Sequence, residues 1–216
     1  MSDPAFQTLS SIERYRGWVI DVHTDEVRMP DGSIARRDVI DHPGAVGVVA
    51  LDEQDQVVLV RQYRQPLRRH LWELPAGLLD VDGEQPWAAA KRELHEEAAL
   101  TATTWHVLLD LHTSPGMTNE AIRIYLARGL NAVPSAQRFQ AEHEEVTMTV
   151  QRIALAEALV MIQRGSLTNG PAVAGVLAAR LAQLANFLEL RPADSPWTSR
   201  AAGLATEGAV GAEPPA

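Results

Sequence analysis

The chain contains no cysteine, which excludes disulfides and thiolate metal sites. It also lacks an excess of positive charge. Asp and Glu number 28 against 19 Lys and Arg, for a formal net charge of −9 and a sequence pI of about 5.2. A nucleic-acid binder that works by general phosphate neutralisation is not built this way. No apolar run is long enough to span a bilayer, so no membrane association is expected. The amino terminus has no basic region followed by an apolar core, so no secretory signal is expected and cytoplasmic residence is the default. No internal repeat is visible. What is present is a soluble composition over 216 residues, enough for one ordinary domain and a small extra element. An acidic protein of this kind that handles phosphates must supply positive charge locally, through metal ions and a few arginines.

The most informative stretch is Arg92-Glu93-Leu94-His95-Glu96-Glu97. Residues three and four apart on a helix are neighbours, so Glu93, Glu96 and Glu97 share one arc of surface. Two carboxylates about 5 Å apart repel by roughly 3 kcal/mol at an effective dielectric near 20. A divalent cation or plain solvation must relieve them. The helix is supported independently. Pro86 suits a first-turn position, and Trp87-Ala88-Ala89-Ala90-Lys91 is rich in helix formers. The expected apolar stripe is Trp87, Ala90, Leu94 and Ala98, with Glu93 and Glu96 off it and Glu97 on its border.

With its surroundings, the segment reads Gly77-x6-Glu84-x7-Arg92-Glu93-Leu94-His95-Glu96-Glu97-Ala98-Ala99-Leu100. It strongly resembles the Nudix box, G-x5-E-x7-R-E-U-x-E-E-x-G-U, where U is aliphatic. One extra residue lies between Gly77 and Glu84, in a loop where length is tolerated. Ala99 stands in place of a glycine near the helix end, where a left-handed cap is common. The resemblance implies an α/β fold, a Nudix-type α/β/α sandwich, and hydrolysis of a pyrophosphate bond. It implies metal ligation by Glu93, Glu96, Glu97 and the carbonyl of Ala76, with Arg92 orienting the glutamates. All of these donors are oxygens, which suits Mg²⁺, or alternatively Mn²⁺, rather than zinc.

A base must take a proton from the attacking water. A second acidic cluster, Glu142-His143-Glu144-Glu145-Val146, resembles a loop motif of bacterial ADP-ribose pyrophosphatases within the family. The resemblance implies Glu142 as base and Glu144 as a further group near the metal, with Glu145 in the third acidic position. Ser114-Pro115-Gly116 and Glu120 resemble the S-P-G-x-x-x-E motif of the same subfamily. That implies Pro115, Gly116 and Glu120 at the substrate. Gln62-Tyr63-Arg64 and Glu73-Leu74-Pro75-Ala76-Gly77 are similar to segments of that group too. Arg64 is a candidate phosphate clamp, since guanidinium grips phosphate bidentately. Arg37 is a candidate to reach the substrate across a dimer interface, with a rim charge as the plain alternative. Trp72 is either an adenine platform or a buried strand residue, the latter being favoured.

The expected substrate is a small nucleoside diphosphate compound, ADP-ribose first, yielding AMP and ribose 5-phosphate. The alternatives are another diphosphate, such as a nucleotide sugar or dinucleotide, and a non-catalytic ligand-sensing module. Three parts are expected. Residues 1–43 read as a flexible lead and a hairpin around Met29-Pro30-Asp31-Gly32, which in the resembled subfamily helps form a homodimer. Residues 44–190 read as the hydrolase domain. Its strand candidates are 45–51, 57–63, 71–74, 105–111 and 121–127, and helices are expected over 153–162 and 171–188. Residues 191–216, rich in Pro, Ala and Gly, read as a flexible tail.

Overall fold

The computed structural model of the chain describes residues 5–137, 139 and 147–198. The domain is organised by a five-stranded sheet. Its strands are β4 (Ala45–Ala50), β7 (Ala76–Leu78), β8 (Leu100–His112), β9 (Ala121–Ala132) and the short β11 (Arg191–Pro192), in the order β11-β8-β9-β4-β7. β4 and β9 run parallel, and the other pairs are antiparallel. The β4 sequence Ala-Val-Gly-Val-Val-Ala is buried throughout, as expected of a strand covered on both faces. Val46, Val48, Tyr125 and Val107 pack with α1 (Pro86–Ala98) on one face. Val49, Leu51, Ile122 and Ile124 pack with α2 (Leu155–Gln163) and α3 (Gly170–Leu184) on the other. The result is the expected α/β/α layering. α3 approaches closely at Gly175, where an added Cβ would lie 2.8 Å from Leu74 Cδ1 and 3.0 Å from Val49 Cγ2.

A second sheet, β10-β5-β6, joins β5 (Gln56–Arg64), β6 (Arg69–Glu73) and β10 (Thr149–Ala154). This corrects the helix expected from Ile153. Thr149–Ala154 pairs with β5 along its whole length, Ile153 opposite Val57. The helix therefore begins at Leu155, whose N–H bonds the Asp55 carbonyl at 2.8 Å. The last helix also stops short of Leu188. Asn186 and Phe187 take φ of 53° and 58°, a left-handed geometry that cannot continue it.

The N-terminal element is a third sheet, β1-β2-β3, made of β1 (Gln7–Arg16), β2 (Asp21–Arg28) and β3 (Ile34–Asp41). The hairpin around Met29–Gly32 is there. The lead before it is not a loose segment, however, because Gln7–Arg16 pairs with β2 along its length. Every β1 residue is exposed, so its sequence carries no burial pattern by which to recognise it.

The expected tail is ordered at its start. Arg191 and Pro192 pair with Val107 and His106 of β8. Arg123, 2% exposed, grips Asp110 through Nε at 2.7 Å and Nη2 at 3.1 Å. It also donates to the Ser195 carbonyl at 2.6 Å and the Pro196 carbonyl at 3.2 Å, beneath the Trp197 ring at 4.8 Å. Arg191 adds a bond to Asp110 at 2.8 Å. Burial pushes the Asp110 carboxyl pKa up, but hydrogen bonds and charge from Arg123 and Arg191 outweigh it and leave the pKa below the usual carboxylate range. A pKa lowered by folding gives stability that is complete above the unfolded value and is lost as pH falls through the folded value. Asp110→Asn is therefore expected to lower the thermal midpoint at pH 7 and to flatten its decline below about pH 4. Thermal melts of the two proteins over that range check this.

Candidate active site

The acidic run lies on α1. Pro86 occupies the first turn, and the Ala88 and Ala89 N–H groups bond the Gln85 carbonyl. The buried arc is rotated from the expected stripe: it runs through Ala89, Ala90, Glu93, Leu94 and Glu97. Trp87 and Ala98 are only partly buried. Glu93 and Glu97 are each 8% exposed. Buried carboxylates are costly unless partnered, so a solvated acidic face is excluded for these two.

Arg92 is the hub. It binds Glu84 through both oxygens at 3.1 and 3.0 Å, Glu93 Oε1 at 2.6 Å and Glu96 Oε2 at 3.1 Å. Its pKa is raised above the ordinary arginine value, chiefly by the Glu84 hydrogen bonds. The residue inserted between Gly77 and Glu84 is absorbed by a turn in which the Glu84 N–H bonds the Val81 carbonyl, and Glu84 still reaches the arginine. Glu97 Oε2 accepts from the Ala76 N–H at 2.9 Å, which ties the helix to β7. Next to it, Gly77 lies directly under Glu93. A Cβ there would fall 1.9 Å from Glu93 Oε1. Glycine is thus needed for the carboxylate to lie against the strand. Gly77→Ala is expected to displace Glu93 and lower activity by about 10-fold or more while costing about 1 kcal/mol or less of stability. Steady-state rates and urea unfolding of the same samples separate the two effects.

Ala99 follows the helix in the left-handed region, φ 50° and ψ 43°, with its N–H on the His95 and Leu94 carbonyls. The glycine-type cap is made by an alanine, at a cost in Cβ strain. Ala99→Gly is expected to stabilise the protein by about 0.5–1 kcal/mol, the relief of strain exceeding the added unfolded-chain entropy. An increased urea midpoint at unchanged m-value checks it.

Three carboxylates (Glu84, Glu93 and Glu96) surround one guanidinium and Glu97 lies on the same helix, so the four carry three formal negative charges that Arg92 does not compensate. Among the described residues, no three His, Asp or Glu side chains converge at chelating geometry. The reason is visible: Glu93 and Glu96 both turn to Arg92 Nη1, and Glu97 turns to Ala76. The all-oxygen donor set, its excess charge and the glycine cradle suit a hard divalent cation, which would draw oxygens away from Arg92. A cavity of about 380 Å³ opens beside the helix end, with Glu96 and Glu97 on one side and Phe139, Gln151 and Arg152 on the other.

The remaining candidates are dispersed. Arg64 grips Glu73 bidentately at 2.9 and 2.7 Å, and Glu73 is buried. Trp72 packs partly buried on the core, as favoured. Arg37 is exposed on β3 and donates to the Arg36 carbonyl. Pro115 and Gly116 lie exposed in a turn closed by the Met117 and Thr118 N–H groups on the Ser114 carbonyl. The Glu120 carboxylate meets the Thr113 hydroxyl and lies 3.7 Å from His42 Nε2. Glu142, Glu144 and Glu145 fall outside the described residues. Two partners were not singled out as such in the sequence. Glu73 stands inside a segment used only for its resemblance, and His42, before Pro43-Gly44, has no spacing that marks it. Burial lowers the His42 pKa, with Glu120 opposing.

Residues 41–169 match the family model described as the NUDIX domain. The chain belongs to the Nudix family. It is 45% identical to an ADP-ribose pyrophosphatase of Mycobacterium tuberculosis, over 95% of this chain and 97% of that protein. It is 32% identical to an ADP-ribose pyrophosphatase of Bacillus subtilis, over 73% of this chain and 83% of that one. The fold matches a crystal structure of an ADP compounds hydrolase with a TM-score of 0.73, covering 86% of this chain and 98% of that chain at 20% identity. Nudix hydrolases generally use divalent metals. In this Nudix chain, no helix of the described residues is long and apolar enough to cross a membrane.

Proposed function

We propose that this Nudix hydrolase cleaves the diphosphate bond of ADP-ribose, giving AMP and ribose 5-phosphate. The observation that carries the reading is the Arg92 hub, with two buried glutamates, in a chain similar to ADP-ribose pyrophosphatase over nearly its whole length. Glu93, Glu96, Glu97 and the carbonyl of Ala76 would hold the cation, Mg²⁺ first and Mn²⁺ as the alternative. When bound, it neutralises diphosphate oxygens and lowers the pKa of a water. Arg92 holds Glu84, Glu93 and Glu96 in one orientation, from which Glu93 and Glu96 would supply oxygens to the cation. Glu142 takes the water's proton, and Glu144 would serve as a further metal ligand. Arg64, its fork held in plane by Glu73, lends its exposed side to phosphate. Pro115, Gly116 and Glu120 shape the far side of the substrate.

The N-terminal sheet supports a homodimer. Leu9, Ile12 and Tyr15 on β1, with Trp18 beyond it, are exposed large apolar residues. Their burial against a second copy would also bring Arg37 toward a partner's site. The test of the substrate is a panel of ADP-ribose, NADH and nucleotide sugars at fixed Mg²⁺. The proposal expects the highest kcat/KM for ADP-ribose by about 10-fold or more; equal values across the panel would reject it.

A further inference from the structure

The loop that carries Glu120 is held at its tip by β3, the last strand of the N-terminal sheet, and by His42, the residue that follows it. The Ile40 N–H bonds the Met117 carbonyl at 2.8 Å, and the Asn119 N–H bonds the Ile40 carbonyl at 3.3 Å. The Asn119 side chain completes the joint with both of its ends. Nδ2 donates to Asp41 Oδ1 at 2.7 Å, and Oδ1 accepts from the His42 N–H at 2.9 Å. The other Asp41 oxygen, Oδ2, is 2.9 Å from His23 Nδ1 on β2. One carboxylate is thereby divided between the N-terminal sheet and the loop. Next along the chain, the Glu120 carboxylate lies between the Thr113 hydroxyl and His42. His42 is itself fixed, because its Nδ1 accepts from the Gly44 N–H at 3.1 Å, which leaves the proton of the neutral ring on Nε2, facing Glu120.

We propose that Asn119 is a positioning residue: clamped between Asp41 and the His42 backbone, it sets Glu120 for the substrate, so that the N-terminal sheet tunes affinity for the nucleoside diphosphate. This rests on the reading of Glu120 as a substrate contact. The Asn119 amide offers a donor and an acceptor on separate atoms, one for each partner. An aspartate at position 119 would still accept from the His42 N–H, but it would set a carboxylate against Asp41. Adding Asp41→Asn to that change reverses the pair. The amide introduced at position 41 donates to the carboxylate introduced at position 119, and its carbonyl oxygen still faces His23.

The test uses the full chain and three variants: Asn119→Asp, Asp41→Asn and the double exchange. Asn119→Asp is expected to raise KM for ADP-ribose about 10-fold with kcat within about twofold of wild type. The double exchange is expected to return KM to within about threefold, the mark of a direct pair. Hydrogen exchange at the amides of Ile40 and of position 119 should quicken in Asn119→Asp and recover in the double exchange. Asn119→Ala, which removes both side-chain bonds without repulsion, replaces Asn119→Asp if that variant does not fold, and it should raise KM in the same direction. An unchanged KM overturns the inference even if hydrogen exchange quickens, since the joint is then merely structural. So does a KM that stays raised in the double exchange. A wild-type protein that does not turn over ADP-ribose overturns the functional reading itself, and that arm is read before any variant.

Discussion

Replacing Glu97 with glutamine is expected to lower ADP-ribose hydrolysis by about 100-fold or more while leaving the fold intact. Glutamine is close to isosteric, and its carbonyl oxygen can still accept from the Ala76 N–H, the bond that ties α1 to β7. What it removes is a negative charge on a residue 8% exposed. For stability that charge is a burden, because its desolvation is only partly offset. The variant should therefore unfold at an equal or slightly higher urea concentration. For a divalent cation the same charge is the attraction. The Mg²⁺ dependence of the residual rate should move to higher concentration, and the loss should be smaller at saturating metal. Measuring rate against Mg²⁺ beside the unfolding midpoint separates these effects. Wild-type turnover in Glu97→Gln would refute the metal-site argument.

The second large effect is expected at Arg92. Its fork closes on both oxygens of Glu84 and on single oxygens of Glu93 and Glu96. Arg92→Ala leaves these carboxylates, with side chains 11–23% exposed, to repel one another. Breaking a fully buried pair costs about 3–5 kcal/mol; the arginine side chain is 31% exposed, so solvent screening reduces the expectation to about 2 kcal/mol. Activity should fall by about 100-fold or more, because the glutamates lose their fixed orientation. Arg92→Lys should restore part of the stability and little of the activity, since an ammonium is a point charge without the planar fork. Urea unfolding and kcat on both variants check this. A lysine variant with full activity would show that charge alone suffices.

The box was legible because its chemistry is local. Four carboxylates and an arginine lie within fourteen consecutive positions, 84–97, on a helix whose start Pro86 announces. The buried strands were legible for the same reason, since Ala45–Ala50 is apolar throughout. What stayed hidden depends on contacts distant in sequence. Glu93 looks peripheral on a helical projection and is buried because Gly77, well upstream, lets the helix close on β7. Gln7–Arg16 is a strand through pairing with Asp21–Arg28, not through its own pattern. The start of the expected tail is held by Arg123, far upstream, whose charge inside a strand gives no hint that its partners include Ser195 and Pro196. Ala99 was suspect in the sequence, and the structure resolves its effect: the left-handed cap forms, with an alanine in it.

The most direct test of the account is AMP release from ADP-ribose by the purified chain, with Mg²⁺ and with EDTA. One AMP and one ribose 5-phosphate are expected per substrate consumed in Mg²⁺, with a rate lower by about 100-fold or more in EDTA. Equal rates in the two conditions, or no AMP in either, would contradict it.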